Sequence, residues 1–349
     1  MLRSVAIIFV VFVLACQSAL LQARSLFVDA QSISVSQPVP VYDMIHGWQQ
    51  DYRDGEYAFS DTRFRTGIEW HNMRVFYEQR VSGYLTFNKA TARYYRDIEL
   101  GRDRTQRDRL AMDARFLTAR GVGASYLWQW GSVIWQPTFV YYHVDQYQFG
   151  RLRGWAQGQD DVSAVLDYYY HEDKLLEDKN VPGVADGVSL SMQWRYQQPQ
   201  WALAVSIGDA FNRWYLKDAG HTVGCVRLGG EGTPVCETSS AIEGSSIPKT
   251  TQKQLLPTWR AHVDWLAHDI ELDVLKHDRY QRVGVTQWWS FGSSHTSEYS
   301  TRMGVTAYST RQLGLQFQHA YGALSFASDD WRWRRARALD VSLSLNLPF

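Results

Sequence analysis

The chain ends in RALDVSLSLNLPF, residues 337–349, in which apolar and polar side chains alternate strictly. Successive side chains of an extended strand point to opposite faces, so one face carries Leu339, Val341, Leu343, Leu345, Leu347 and Phe349. Two environments suit such a strand. In a soluble sandwich or barrel the apolar face turns towards a core, whereas in a transmembrane barrel it turns towards lipid. The remainder of the chain has to distinguish between the two.

The N-terminus is predicted to be a secretory signal peptide. Arg3 provides a positive start, and an unbroken apolar run over residues 5–15 follows it. This run is shorter than the ~20 residues that a spanning helix needs. Cleavage is expected after Ala19 or Ala23, and lipid modification of Cys16 in VLAC is the alternative. Either way, the protein is expected to leave the cytoplasm.

The composition favours the membrane environment. Beyond the signal no apolar stretch is long enough for a spanning helix, and the mean hydropathy is -0.35. Aromatic residues make up 14% of the chain, with 15 Trp and 20 Tyr, the residue types that collect at membrane interfaces. Lys and Arg number 36, as do Asp and Glu, so the basic excess of a nucleic-acid-binding protein is absent.

Alternating segments follow one another along most of the chain. One predicted hairpin joins GVSLSMQWRYQ (187–197) to WALAVSIGDA (201–210) through a tight turn. The pattern predicts an all-β fold, a transmembrane antiparallel up-and-down β-barrel of about 14 strands, roughly 12 to 16, over residues 61–349. Residues 1–23 are assigned to the signal peptide. Residues 24–60 alternate little and contain PVP, so they are predicted to be a periplasmic lead-in or an inward plug.

The last predicted strand resembles a motif known from one class of membrane proteins. A final strand that alternates and ends in an aromatic residue, here Phe349, resembles the assembly signal of Gram-negative outer-membrane barrels. The resemblance covers about eleven residues and singles out no subfamily. It implies an outer-membrane location, contact with outer-membrane lipid and lipopolysaccharide, and recognition by the barrel assembly machinery.

The predicted strands conflict in one respect with the usual barrel topology. If Phe349 lies in the periplasm, the segments 322–336 and 292–297 fall outside as expected. The turn at His268 and Asp269 then also falls outside, and the long segment 211–256 falls in the periplasm. Either a strand is hidden within 211–256, for example in KTTQKQLLP, or two of the predicted strands are one.

Cys225 and Cys236 bracket the glycine-rich stretch CVRLGGEGTPVC. In an oxidising compartment they are expected to pair and to pin a loop at 217–255. A zinc site is the alternative, but two cysteines with His221 nearby fall short of four ligands. No metal and no cofactor are predicted, and the oligomeric state is left open.

One stretch suggests catalysis. In SSHTSEYS, His295 and Ser297 are two residues apart and would share one face of a strand. Outer-membrane phospholipases and lipid A deacylases use a His-x-Ser pair, which would make Ser297 the nucleophile and His295 the base. A third group to orient the imidazole is missing downstream, so a lipid hydrolase is the lesser alternative and no enzymatic activity is predicted.

The barrel interior is the main candidate site. Alternation predicts that charged side chains of both signs line the lumen: Arg63, Arg65, Glu69, Arg93, Asp113, Arg115, Arg195, Arg260, Asp264, Glu271 and Asp273. These charges either face a solute pathway or pair across the lumen and close it. We therefore expect a porin-like passive channel for small hydrophilic solutes. The first alternative is a non-conducting barrel that acts as a surface scaffold or binding module through its loops.

Overall fold

The computed structural model describes residues 25–48, 51–102, 106–157, 161–172, 183–228, 242–291 and 301–349. The strands are β1 (Ser25–Ser36), β2 (Tyr57–Trp70), β3 (Met73–Phe87), β4 (Arg107–Tyr126), β5 (Trp128–Trp130), β6 (Val133–Gln157), β7 (Asp161–Tyr170), β8 (Ala185–Gln197), β9 (Trp201–Leu228), β10 (Ile242–Lys253), β11 (Thr258–Trp265), β12 (Ile270–His277), β13 (Tyr280–Phe291), β14 (Thr301–Tyr308), β15 (Leu313–His319), β16 (Gly322–Ser328) and β17 (Ala338–Pro348). Two helices, α1 (Asp43–His46) and α2 (Lys89–Glu99), lie between them.

The strands close into a barrel. Within the described part of the chain, 14 strands form an antiparallel ring in the order β1, β2, β3, β4, β6, β8, β9, β11, β12, β13, β14, β15, β16, β17. The first and last strands complete it, since Leu26 pairs with Leu347 and Val35 with Ala338. Closure leaves no wall strand with an unpaired edge. The prediction of an all-β barrel with about 14 strands is confirmed.

The two ends of the barrel differ. The terminal end carries Ser25 and Pro348, together with the short connections 70–73, 126–133, 197–201, 265–270 and 319–322. The opposite end, which we call the loop end, carries the longer segments 36–57, 87–107 and 328–338, together with the tight turns at 277–280 and 308–313. Longer connections gathered mostly at one end are typical of outer-membrane barrels.

An extension sheet rises beyond the wall at the loop end. It consists of residues 148–157 and 161–170, which pair with each other, and of 214–228 and 242–253, which pair in the same way. The lower parts of β6 and β9 instead pair with β8 and β11 in the barrel wall. The predicted loop at 217–255 is therefore largely strand. Cys225 lies in β9, but Cys236 lies outside the described residues, so the disulfide stays a prediction.

Two strands were missed by the sequence reasoning. Residues 25–36, placed in a lead-in or plug, form β1 of the wall, and only the segment after it packs at the loop end, where Val39 and Trp48 contact Phe87. Residues 322–328, placed in an outer loop, form β16. This second strand resolves the conflict in topology, because it returns the turn at 268–269 to the terminal end. The same strand also places the end of β13 and the start of β14 at the terminal end. The sequence reasoning had expected the segment 292–297, which follows β13 in the chain, at the outer end.

A third difference concerns Arg93, predicted on a lumen-lining strand and found in helix α2. Its local cause is an N-cap, since the Asn88 side chain accepts a hydrogen bond from the Thr91 backbone N–H at 2.9 Å. Arg93 therefore lies on an exposed helix at the loop end, and its predicted position in the lumen is wrong. Among the described residues, no helix is long and apolar enough to cross a membrane.

Candidate functional site in the barrel lumen

The outer face of the barrel is apolar. Side chains on this face include the exposed Val75, Val81, Phe116, Val122, Phe139, Val285, Val305, Leu315, Leu324 and Leu345. An aromatic belt surrounds the terminal end, formed by the exposed Trp128, Trp130, Trp135, Trp201 and Trp265. Charged side chains interrupt the outer face where Arg120 meets Asp145 at 3.1 Å and where His143 lies 3.4 Å from Asp186. A closed barrel with this outer surface belongs to the class of transmembrane β-barrels.

A buried cluster of charges occupies the middle of the lumen. We call Asp61, Arg63, Arg80 and Asp209 the central charge cluster. Asp209 accepts hydrogen bonds from Arg80 Nη1 at 2.8 Å and Nη2 at 2.7 Å, from Arg63 Nη2 at 2.7 Å, and from the Ser189 hydroxyl at 2.6 Å. The side chains of Arg80 and Asp209 are 2% and 1% exposed. Such buried charges are tolerated because each has hydrogen-bonded partners.

The register of two neighbouring strands explains why this cluster needs two acids. Arg63 in β2 lies directly opposite Arg80 in β3. Like charges at this position repel each other and destabilise a sheet. Asp61 bridges both guanidinium groups, at 3.0 Å from Arg63 and 3.3 Å from Arg80, and Asp209 reaches both from β9. The arginine pair is thus held by carboxylates from two sides.

Asp209 owes its position to an irregularity in β9. The register between β8 and β9 shifts between Leu190 and Met192, and Asp209 has a positive φ of 56°. A bulge re-aims the side chains of its strand, and Asp tolerates the left-handed conformation better than most residues. Alternation alone cannot place a residue beyond such a bulge, so the sequence reasoning missed Asp209.

A second buried carboxylate completes the charge balance. Glu78 is fully buried. Its carboxylate accepts one hydrogen bond from Arg65 Nε, at 2.5 Å, and another from the Tyr142 hydroxyl. Together with the central charge cluster this makes three arginines and three carboxylates, so their formal charges cancel. Glu78 and Arg80 were missed, although their alternation in MRVFYEQRV could have placed both on the inner face.

Further charges pair on the opposite wall. Arg282 hydrogen-bonds Asp340 and lies 3.9 Å from Asp273. His262 contacts Asp273 at 3.1 Å and Glu271 at 3.6 Å. These charges in the middle of the lumen thus form paired networks and not separate rows of one sign.

Apolar side chains fill much of the remaining interior. Leu117, Tyr142, Trp214 and Leu216 are fully buried in one cluster beside the central charge cluster. Leu275 and Tyr280 belong to a second cluster nearer the loop end. The lumen is packed, as in small barrels, and does not form a wide water-filled pore.

Three cavities follow one another through this packed interior. The terminal half contains one of about 250 Å³, which includes Asp61, Arg63 and Thr258 in its lining. The loop end contains one of about 800 Å³, which we call the vestibule. Between them lies a space of about 10 Å³ that shares Asp61 and Thr258 with the first cavity and shares lining residues with the vestibule. This middle space holds barely one water molecule.

Most predicted lumen residues lie on the interior face. Arg63, Arg65 and Arg260 line the smaller cavity, and Asp113 and Arg115 line the vestibule. The register places Arg195, Asp264, Glu271 and Asp273 on the same face nearer the terminal end, where Glu69 pairs with Arg74 at 2.8 Å. Arg93 is the exception noted above. The lesser catalytic candidates, His295 and Ser297, lie outside the described residues.

No protein-family model matches the chain, and no curated protein matches it. Among solved structures, it is similar to a TodX deltaS2S3 mutant, a monoaromatic hydrocarbon channel, at 7% identity over 94% of this chain and 91% of that chain, with a TM-score of 0.45. It is also similar to the CymD monoaromatic hydrocarbon channel, at 8% identity over 94% and 89% with a TM-score of 0.24. The outer membrane protease OmpT from Escherichia coli matches at 6% identity over 94% and 95%, with a TM-score of 0.22. These values carry no argument about activity, and the class rests on the barrel geometry itself.

Proposed function

We propose that this protein is an outer-membrane channel for small hydrophilic solutes, closed at rest by the central charge cluster. The observation that supports this function is the series of cavities along the lumen, which share lining residues and narrow to about 10 Å³ beside Asp61 and Arg80. The sequence predicted a passive porin. We propose instead a channel that conducts little until the ion pairs of the cluster rearrange.

The physical basis is the nature of the obstruction. Among the described residues, side chains of the wall strands and of the segment 254–257, which is held by hydrogen bonds between Asn212 and Leu255, separate the cavities, and no folded plug domain lies between them. Exchanging ion-pair partners requires side-chain movement without unfolding of the barrel. Passage is then limited by the width of the middle space and by the cost of stripping water from the solute. Because the charges of the cluster cancel, it would impose little preference between cations and anions.

The test is single-channel conductance of refolded protein in planar bilayers. Arg80→Ala combined with Asp209→Asn removes one positive and one negative charge and shortens the side chain at the narrowest point. Asn tolerates the positive φ at this position. We expect the wild type to be nearly silent and the double variant to give steady ohmic steps. Leu256→Ala widens the same space without changing any charge and is expected to act in the same direction.

The matched control is Glu69→Ala combined with Arg74→Ala. This pair also lies on the interior face and is also neutral, but it lies near the terminal end, away from the narrowest point. It should leave the conductance at the wild-type level. Silence from both widened variants, with folding verified by a heat-dependent shift in gel mobility, would contradict the channel and favour a closed scaffold.

We also propose that the protein contacts outer-membrane lipid and lipopolysaccharide and is recognised by the barrel assembly machinery through its last strand. In support, Leu345, Leu347 and Phe349 are exposed on the outer face, and Phe349 is 69% exposed. Phe349 follows Pro348, the last paired residue of β17, so its loss breaks no strand pairing of the assembled barrel. Deleting Phe349 should therefore lower the fraction of assembled protein in cells while leaving the unfolding temperature of the purified barrel unchanged. An unchanged assembled fraction would contradict this role.

A further inference from the structure

The vestibule is a large cavity at the loop end of the barrel. Its volume of about 800 Å³ falls in the range of roughly 300–1,000 Å³ typical of small-molecule sites. Its walls come from β4, β6, β7, β9 and β10 and from the segment 254–257 that precedes β11. It therefore lies where the extension sheet joins the barrel wall, at the entrance to the narrow part of the lumen.

The carboxylates of the vestibule already have partners. Asp113 forms an ion pair with Arg153, which lies outside the lining of the cavity. Asp167 lies 2.9 Å from His221 Nε2 and 3.5 Å from Arg151 Nη2. Both carboxylates therefore already have a positively charged or hydrogen-bonding neighbour, and a ligand would bind to other groups of the cavity.

Two cations of the vestibule have no such partner. Arg115 and Lys253 line the cavity, and neither forms an ion pair with another described residue. The Lys253 ammonium lies 3.8 Å from the centre of the Tyr169 ring. This neutral neighbour orients the ammonium without neutralising it.

The surroundings of Lys253 reflect the same excess of positive charge. The Lys253 ammonium lies among the positively charged Arg115, Arg151 and Lys249, with Asp167 as a nearby carboxylate. An anion bound here would relieve this repulsion.

We propose that the vestibule binds a small organic anion carrying at least two phosphate or carboxylate groups. Arginine guanidinium groups match both kinds of group through paired N–H donors, and a lysine adds a point charge. Two unpaired cations, with the largely exposed Arg151 beside them, fit more than one anionic group, and the volume of the cavity leaves room for an organic body. The inference names the substrate class of the proposed channel and rests on that function for its role in transport, but binding can be measured without transport.

The test is isothermal titration of the full-length protein, folded in detergent, with citrate and with inorganic pyrophosphate as probes at low salt. Citrate represents the carboxylate source and pyrophosphate the phosphate source, and glucose is the uncharged comparison. We expect at least one of the two anions to bind and glucose not to bind. Lys253→Gln and Arg115→Gln should each weaken that binding by about tenfold, as loss of a charge-assisted contact does. Added salt should weaken it as well.

The matched control is Lys276→Gln, which removes one positive charge from an exposed position of β12, outside the vestibule. It should bind the anions as the wild type does. Absence of binding by the wild type, or equal affinity in all variants, would overturn the proposal. If anions bind while the widened channel variants stay silent, the proposed channel function is contradicted and the anion site still stands. If those variants conduct but no anion binds, only the proposed anion site is contradicted.

Discussion

The central charge cluster and the vestibule use the same residue types to opposite effect. In the cluster, Arg63 and Arg80 share two aspartates and are almost completely removed from solvent. In the vestibule, Arg115 and Lys253 face an open cavity without a carboxylate partner among the described residues. An interior arginine is therefore not by itself a sign of a transport path. Its partners decide whether it braces the barrel or remains available to a ligand.

The two regions should also differ in how they tolerate the loss of a charge. A buried pair that loses one partner leaves the other uncompensated, which costs far more than the pair contributes when intact. A partly exposed charge is screened by water, and its loss costs little. The comparison can therefore be tested by one aspartate substitution in each region.

The largest effect is expected at the centre of the lumen. Asp209→Asn removes the carboxylate that receives Arg63, Arg80 and Ser189, while Asn keeps the size and tolerates the positive φ. It should lower the free energy of unfolding by about 3–5 kcal/mol. The measurement is urea unfolding in lipid vesicles.

The double variant Arg80→Ala with Asp209→Asn serves as the comparison, because it removes charges of both signs. It should be less destabilised than Asp209→Asn alone. If the single variant were as stable as the wild type, the cluster would not be the brace described here, and the contrast with the vestibule would be lost.

A smaller effect is expected in the vestibule. The Asp167 side chain is 37% exposed, and Arg151 beside it is 65% exposed. Asp167→Asn should change the free energy of unfolding by no more than about 1 kcal/mol. Because it removes a negative charge from the cavity wall, it should raise the affinity for the anion probe by about threefold in the same titration. An unchanged or lower affinity would mean that the charge of the cavity does not govern binding.

The sequence predicted the fold well where each strand separates apolar and polar residues. The last strand does this, and the structure places it in the wall with its leucines outward. β1 was missed because its outer face is partly polar. Ser32 and Ser34 point outward there, and their hydroxyls lie 2.8 Å from those of Thr62 and Ser60 on β2. Partners on a neighbouring strand satisfy these groups, and no local pattern reveals them.

The other misses have equally local causes. Strand β16 has only seven residues, and its alternation is weak because the small Ala323, Ser325 and Ala327 occupy its inner face. Helix α2 begins at the capping residue Asn88, a local signal that the reading of alternation did not use. Both errors concern where an element begins and ends, while the class of fold was predicted correctly.

The sequence by itself determined that this is an alternating, aromatic-rich all-β chain, because the period of two in side-chain direction is a property of every extended strand. It also indicated the inner face for most of the charged residues, including Arg63, Arg115 and Asp273. Only the tertiary structure decided which charges meet. Arg80 and Asp209 are 129 positions apart, and Arg63 and Asp209 are 146 apart. Their contact depends on closure of the ring, on strand register and on one bulge in β9, so the distinction between a paired cluster and an unpaired vestibule exists only in the folded barrel.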